Sequence, residues 1–225
     1  MSWIAKACCS VVISAGAAVF LQVMLHLQSQ STDGVRLIVC LLSARILATL
    51  KLHVPGMKAT VSGGCVVIFT GVAGLTIAET VLIGVAAGIG QCFWRTRSGP
   101  NPVQVVFSIA TLVVSSAVTW ESYHWLAGVP GLSSPSGLIL SAAAIYYLTN
   151  TAIIAGVLAV TEMRPPMQNW KQLYLWTFPH YVFFAILGGF INDAAPNVNW
   201  LLCLVAMPLL GFMNHARIRR AEAAV

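Results

Sequence analysis

GGCVVIFTGVAGLTIAETVLIGVAAGIGQCFW, residues 63–94, decides how this chain is read. It carries one charge, Glu79, and is too long for one membrane crossing, which takes about 20 mostly apolar residues for ~30 Å of hydrocarbon. Thr76-Ile77-Ala78-Glu79 inside it has the form of a capping box, in which the Thr hydroxyl and Glu carboxylate satisfy free amides at a new helix start. The run therefore divides into two helices. The same logic extends outward, because apolar segments fill the whole chain. Of 225 residues, 58% are hydrophobic and 8% charged, against about 25% charged in a soluble domain. Such a sequence covers a lipid-facing surface, not a water-facing one.

Working outward, the apolar runs predict about eight spans: 4–27, 34–52, 60–75, 78–95, 101–123, 135–161, 172–191 and 198–216. Asp33, Asn101-Pro102 and Ser134-Pro135 mark starts, a cap followed in two cases by proline at the first helical position. With the N-terminus inside, the cytoplasmic segments hold Lys6, Lys51, Lys58, Arg95, Arg97, Arg164, Lys171, Arg217, Arg219 and Arg220, ten of the 12 Lys and Arg. The outer loops hold Asp33, Glu79, Glu121 and Asp193, with Arg36 the exception. This obeys the positive-inside rule and predicts both termini in the cytoplasm. Trp120, Tyr123, Trp125 and Trp200 fall where outer interfacial anchors belong, and Trp3, Trp94, Trp170, Tyr174 and Trp176 where inner ones do. Ala15-Gly16-Ala17 offers a signal-cleavage site, which would leave seven spans. Against it, Lys6 is the only basic residue before the apolar stretch, and that stretch runs on past the site. The expected fold class is all-α, a polytopic transmembrane bundle forming a single integral membrane domain, 1–225, in the cell (inner) membrane.

Charge and cysteine usage exclude several functions. The net charge of +6 is scattered between apolar runs and forms no stripe with interleaved aromatics, so nucleic acid is not an expected partner. The six cysteines have no CxxC spacing, and neither a disulfide framework nor a metal site is expected. No HExxH, P-loop, nucleophile elbow or pair of carboxylates within a span is present. Ser134-Pro-Ser136-Gly137 is similar to the intramembrane serine-protease motif, but Ser134 stands in place of its first glycine. No catalytic residue and no cofactor are expected, and the chain does not read as an enzyme.

Polar groups at membrane depth are costly and are therefore functional candidates. Arg45 either snorkels to the headgroups or has a buried partner. Asn150 and Thr151 sit near the middle of the sixth span and read first as interhelical hydrogen-bond formers. His180, beside Pro179 near the middle of the seventh, reads as bonding to backbone freed by the proline, as a ligand contact or as a titrating switch. Trp120-Glu121-Ser122-Tyr123-His124-Trp125 ends the fifth span at the outer face. These residues form either an interfacial belt or the wall of a pocket, where aromatic faces bury a ligand and polar groups orient it. Asn192, Asp193, Asn197 and Asn199 crowd the last outer loop and read mainly as helix caps. Gly84 and Gly88 form a small-xxx-small face for internal packing or for a partner.

An ordered set of motifs carries a family likeness: Leu50-Lys51-Leu52-His53-Val54-Pro55-Gly56, Thr60-Val61-Ser62, Ala78-Glu79-Thr80-Val81-Leu82-Ile83-Gly84, Gln91-Cys-Phe-Trp94-Arg95, Pro102-Val-Gln-Val-Val-Phe107, Tyr147-Leu-Thr-Asn150-Thr151 and Trp176-Thr-Phe-Pro179-His-Tyr181. Over roughly 35–220 the chain resembles the membrane input domains of bacterial HD-GYP and GGDEF signalling proteins. Those domains look like vitamin uptake-like sensors and the S-components of energy-coupling-factor transporters. The resemblance implies a six-helix core, here 60–217 with 1–52 additional, that binds a small molecule from the extracytoplasmic side. Carried over by position, the pocket would be lined by Trp120, Tyr123, His124, Tyr146, Asn192 and Trp200, with Glu121, Asn150 and His180 as further candidates. The implied function is a sensor that relays ligand binding to a cytoplasmic effector. The alternative is an S-component-like subunit of a vitamin-type transporter, which needs energising partner subunits.

Overall fold

The computed structural model describes residues 3–25, 34–53, 60–93, 101–162 and 177–193. Among them are seven helices and one small hairpin: α1 (Trp3–Leu25), α2 (Gly34–Leu47), β1 (Lys51–His53), β2 (Thr60–Ser62), α3 (Cys65–Gly74), α4 (Ile77–Phe93), α5 (Pro102–Ala127), α6 (Pro135–Glu162) and α7 (Phe178–Asp193). The segment expected as the eighth span, 198–216, lies outside the described residues.

The helix starts follow the capping chemistry of the sequence. The Thr76 amide donates to Glu79 Oε2 at 2.9 Å, and the Glu79 amide donates to Thr76 Oγ1 at 3.2 Å. This reciprocal pair breaks the 63–94 run after Gly74 and restarts it at Ile77. The Asn101 side chain accepts from the Val103 amide at 3.0 Å, with Pro102 opening α5. Ser134 Oγ accepts from the Gly137 amide at 3.3 Å as α6 begins at Pro135.

The region before α3 departs from expectation. The second span was expected to run to 52 and the third to start at 60. Instead α2 stops at Leu47, and 51–53 pair antiparallel with 60–62, Leu52 opposite Val61. Short β-compatible triplets on either side of Pro55-Gly56 have a hairpin pattern, which hydropathy alone reads as helix ends. The Gly63 amide donates to Leu50 O at 3.0 Å and Ser62 Oγ to Ala48 O at 3.3 Å, so the hairpin closes back onto the end of α2. At 10 residues, α3 is about 15 Å long, half the hydrocarbon thickness.

Packing contacts set helix directions. On α4, Gly84 lies against Leu112 and Ser116 of α5 and Gly88 against Ile109, an antiparallel register. The Gly84–Gly88 face is thus used inside the chain. Gly71 meets Thr80 and Ile83 while Gly64 meets Ala87, so α3 and α4 also run oppositely. Gly189 meets Ile139, and Asn150 pairs with Tyr181, which sets α7 antiparallel to α6. Gly16 lies on Ala110 and Val23 packs with Val113 and Ala117, which makes α1 parallel to α5. Helix direction therefore alternates along the described chain.

The core is centred on α3, eight of whose residues are buried. Cys40, Ala44 and Leu47 of α2 belong to the same cluster as Val67, Phe69, Tyr146 and Phe184. Packing thus draws α2 into the core of α3, α4, α6 and α7, while α1 rides outside on α5. Polarity is inverted relative to a water-soluble bundle. Trp3, Val11, Leu25, Ile38, Leu42, Phe183, Ile186 and Phe190 are exposed, while Thr80, Ser115, Ser116, Thr119, Asn150 and Thr151 are buried. Buried threonines satisfy their hydroxyls on the preceding turn, as Thr70 does on Val66 O and Thr119 on Ser115 O. Among the described residues three helices are long and apolar enough to span a membrane, α1, α5 and α6, against about eight spans expected.

Candidate functional site

The sequence candidates separate into two regions. One is the end of the bundle where α3 passes into α4, α5 ends and α7 ends. There the Trp120 indole Nε1 donates to the Leu75 carbonyl at 2.9 Å, bridging α5 to the α3–α4 turn. His124 stacks on Trp120 with ring centroids 3.9 Å apart, and its Nδ1 donates to the Trp120 carbonyl at 2.9 Å. The Tyr123 ring meets His124 at 5.3 Å. Trp120, Tyr123 and His124 are therefore brought together as expected. Glu121 is exposed, and Trp125, 71% exposed, stands away from the bundle as a belt residue would. Asn192 joins this end from α7, but not as a simple cap: its Oδ1 accepts from the Arg36 guanidinium of α2 at 3.4 Å.

Below this end, α3, α5, α6 and α7 enclose a slit lined by Phe69, Val72, Tyr123, Ile139, Ala142 and Ala185, among others. Its volume is about 10 Å³, at the threshold for one water molecule. No room for a small-molecule ligand exists there in this conformation. The pocket was expected between the fifth to eighth spans. The slit shares α5, α6 and α7 with that expectation but adds α3, and the eighth span lies outside the described residues, while Tyr123 is one of the lining residues.

The second region is the buried centre. Tyr146 was expected at the outer end of its span, but it lies eleven residues into α6, roughly 16 Å along, and is fully buried. The Phe69, Tyr146 and Tyr181 rings form a chain in that order, with centroids 5.3 and 5.9 Å apart, and Tyr147 lies 5.5 Å from Tyr181. Asn150 Nδ2 donates to the Tyr181 hydroxyl at 3.1 Å, the interhelical bond expected of it. The Tyr146 hydroxyl faces the Cys65 thiol, a weak partner, and makes no hydrogen bond of good geometry among the described residues.

His180 falls in neither group. It was expected near the middle of a span interrupted by proline. The helix instead begins at Phe178, so Pro179 occupies the first turn, where a missing amide costs nothing, and His180 follows it. Its Nδ1 is buried without a hydrogen-bond partner among the described residues. Arg45 is exposed on the flank of α2, in keeping with a snorkelling side chain. Trp200 lies outside the described residues. Sequence reading missed the Leu75 carbonyl, the Arg36–Asn192 pair and the roles of Tyr181 and Cys65. None has a local signal, because each contact joins helices far apart in sequence.

No family model, no curated protein and no solved structure matches the chain.

Proposed function

We propose that the chain is a multi-pass protein of the cell (inner) membrane with both termini cytoplasmic, and that it acts as a receptor module for a small, largely apolar or aromatic molecule. The ligand enters from the extracytoplasmic side between α3, α5, α6 and α7. The resulting shift in helix packing is passed to a cytoplasmic effector or partner. The membrane assignment is supported by the inverted surface, in which large apolar side chains face outward and hydroxyls and amides face inward. The hairpin and short α3 fit that assignment. Non-helical backbone at membrane depth is tolerated where it is paired or buried, and here it is both hydrogen-bonded and followed by a helix enclosed by protein.

The observation that carries the receptor reading is the tie from Trp120 to Leu75 beside a closed, aromatic-edged slit. A receptor needs two states that bind its ligand with different affinity. The closed slit supplies one. Parting α5 from the α3–α4 turn supplies the other, at the cost of one indole–carbonyl bond of about 1 kcal/mol. The likeness to bacterial input domains implies a pocket that shares α5, α6 and α7 with this slit, and a cytoplasmic reader.

The test is small-molecule mass spectrometry of the purified full chain and of Trp120→Ala and Tyr123→Ala forms. A compound that co-purifies with the native chain and is lost from both variants supports the reading. Ligand-free protein in which a cysteine placed at Ala73 in the slit stays inaccessible to thiol reagents in every extract condition refutes it. Chain-dependent accumulation of the compound in cells, requiring energising subunits, would replace sensing by transport. Exterior labelling of cysteines placed at Arg95 or Arg164 would overturn the orientation.

A further inference from the structure

A second recess lies away from the slit, between α1, α4 and α5. Its volume is about 270 Å³, just below the ~300 Å³ at which small-molecule pockets begin. Ile13, Ala17, Phe20, Val85, Val106 and Ile109 are among its walls, and every lining side chain is apolar. Its floor is the close approach of Gly16 to Ala110, where a Cβ on Gly16 would come within 2.6 Å of the Ala110 Cβ. Ala17 and Val106 are exposed at the rim, so the recess opens sideways from the bundle. A purely apolar recess offers a water molecule no partner and a polar ligand no orienting group.

One cation stands on the same helix face. Lys6 is exposed and precedes Ile13 by seven residues, two helical turns; Ala17 and Phe20 continue that face. It lies roughly 15 Å along α1 from Gly16, toward the helix N-terminus. An apolar recess at mid-depth with a lysine at one end matches the two parts of a phospholipid.

We propose that the α1–α4–α5 recess holds an acyl chain of an anionic phospholipid whose headgroup phosphate is met by Lys6. The site rests on the membrane assignment but not on the ligand slit. It ties the peripheral α1 to the bundle through a bound lipid as well as through Gly16 and Ala110.

The full chain, purified in mild detergent, is offered equal amounts of phosphatidylglycerol and phosphatidylcholine and examined by native mass spectrometry. The native chain is expected to retain adducts, with phosphatidylglycerol favoured about fivefold, the discrimination one lysine near a headgroup supplies. Lys6→Gln should equalise the two lipids without abolishing adducts. Ala17→Trp, which fills the recess from its exposed rim, should remove both, and Ala17→Leu should remove part. Leu148→Trp, on the exposed flank of α6, should change neither. Retention unaffected by Ala17→Trp, or a phosphatidylglycerol preference that survives Lys6→Gln, overturns the proposal. A dimer free of adducts overturns it in favour of a second copy of the chain. Release of the native chain from membranes by alkaline carbonate would instead defeat the membrane assignment, which separates the two failures.

Discussion

The Trp120 end and the tyrosine centre are both aromatic and both join α3 to its neighbours, yet they are held in opposite ways. At the Trp120 end α5 is tied by one bond from a side chain to a backbone carbonyl, Trp120 to Leu75, apart from the Arg36–Asn192 pair that joins α2 to α7, and the stacked His124 ring is exposed. At the centre, rings interlock in the interior, Asn150 bonds Tyr181 side chain to side chain, and Gly188 lets α7 approach the backbone of α3. The first arrangement can part at the loss of one bond. The second can part only by opening a cavity in a close-packed interior. The middle is thus the more tightly interlocked of the two, and the Trp120 end is the one that the proposed receptor would have to open.

The largest test of this contrast is Gly188→Leu. A Cβ there would lie 2.7 Å from Phe69 Cβ and 2.8 Å from Val66 O, so backbone must move. A loss of about 3 kcal/mol or more is expected, read by unfolding in mixed micelles. A change within 0.5 kcal/mol, on the order of an exposed surface substitution, would show that the centre is not rigid. Next comes the Asn150–Tyr181 pair: Asn150→Ala and Tyr181→Phe should each cost about 1–2 kcal/mol and couple by roughly 0.6–1.7 kcal/mol in a double-mutant cycle. Simple additivity would remove this bond from the argument. Trp120→Phe keeps a smaller aromatic ring and loses the donor. It should cost only ~1 kcal/mol while speeding thiol labelling of a cysteine placed at Ala73 in the slit. Unchanged labelling would mean that the indole does not hold the end closed. The smallest effect belongs to Tyr146→Phe, expected within about 0.5 kcal/mol of the native chain or slightly stabilising, because the lost hydroxyl has no strong partner. A loss of ~2 kcal/mol there would reveal a bond at the Tyr146 hydroxyl that the present geometry lacks.

Thr76-Ile77-Ala78-Glu79, Asn101-Pro102 and Ser134-Pro135 were legible because capping is local. The side chain and the amide it satisfies are two or three residues apart, so the sequence contains both. The hairpin 51–62 was not legible by hydropathy, since two mostly polar triplets read as the fraying ends of neighbouring spans and only their pairing names them as strands. Trp120, Tyr123 and His124 were found together because one helix turn carries all three. Tyr146 was misplaced although α6 starts where Ser134-Pro135 predicted: eleven residues of helix carry it toward mid-span, and the neighbours that bury it there are distant in sequence. His180 was misplaced because a proline reads alike at a helix start and at a kink.

By itself the sequence determined that most of this chain is apolar helix and where several of those helices start, because composition and capping are properties of contiguous residues; against its expectation of about eight spans, three helices among the described residues are long and apolar enough to cross a bilayer. Only the tertiary structure decided that α3 is a short enclosed helix entered through a hairpin, that Trp120 reaches Leu75, that Asn192 meets Arg36 and that Lys6 stands in line with an apolar recess. Each of these depends on register between helices distant in the chain, and register is set by where small residues such as Gly16, Gly84 and Gly188 let two backbones close up.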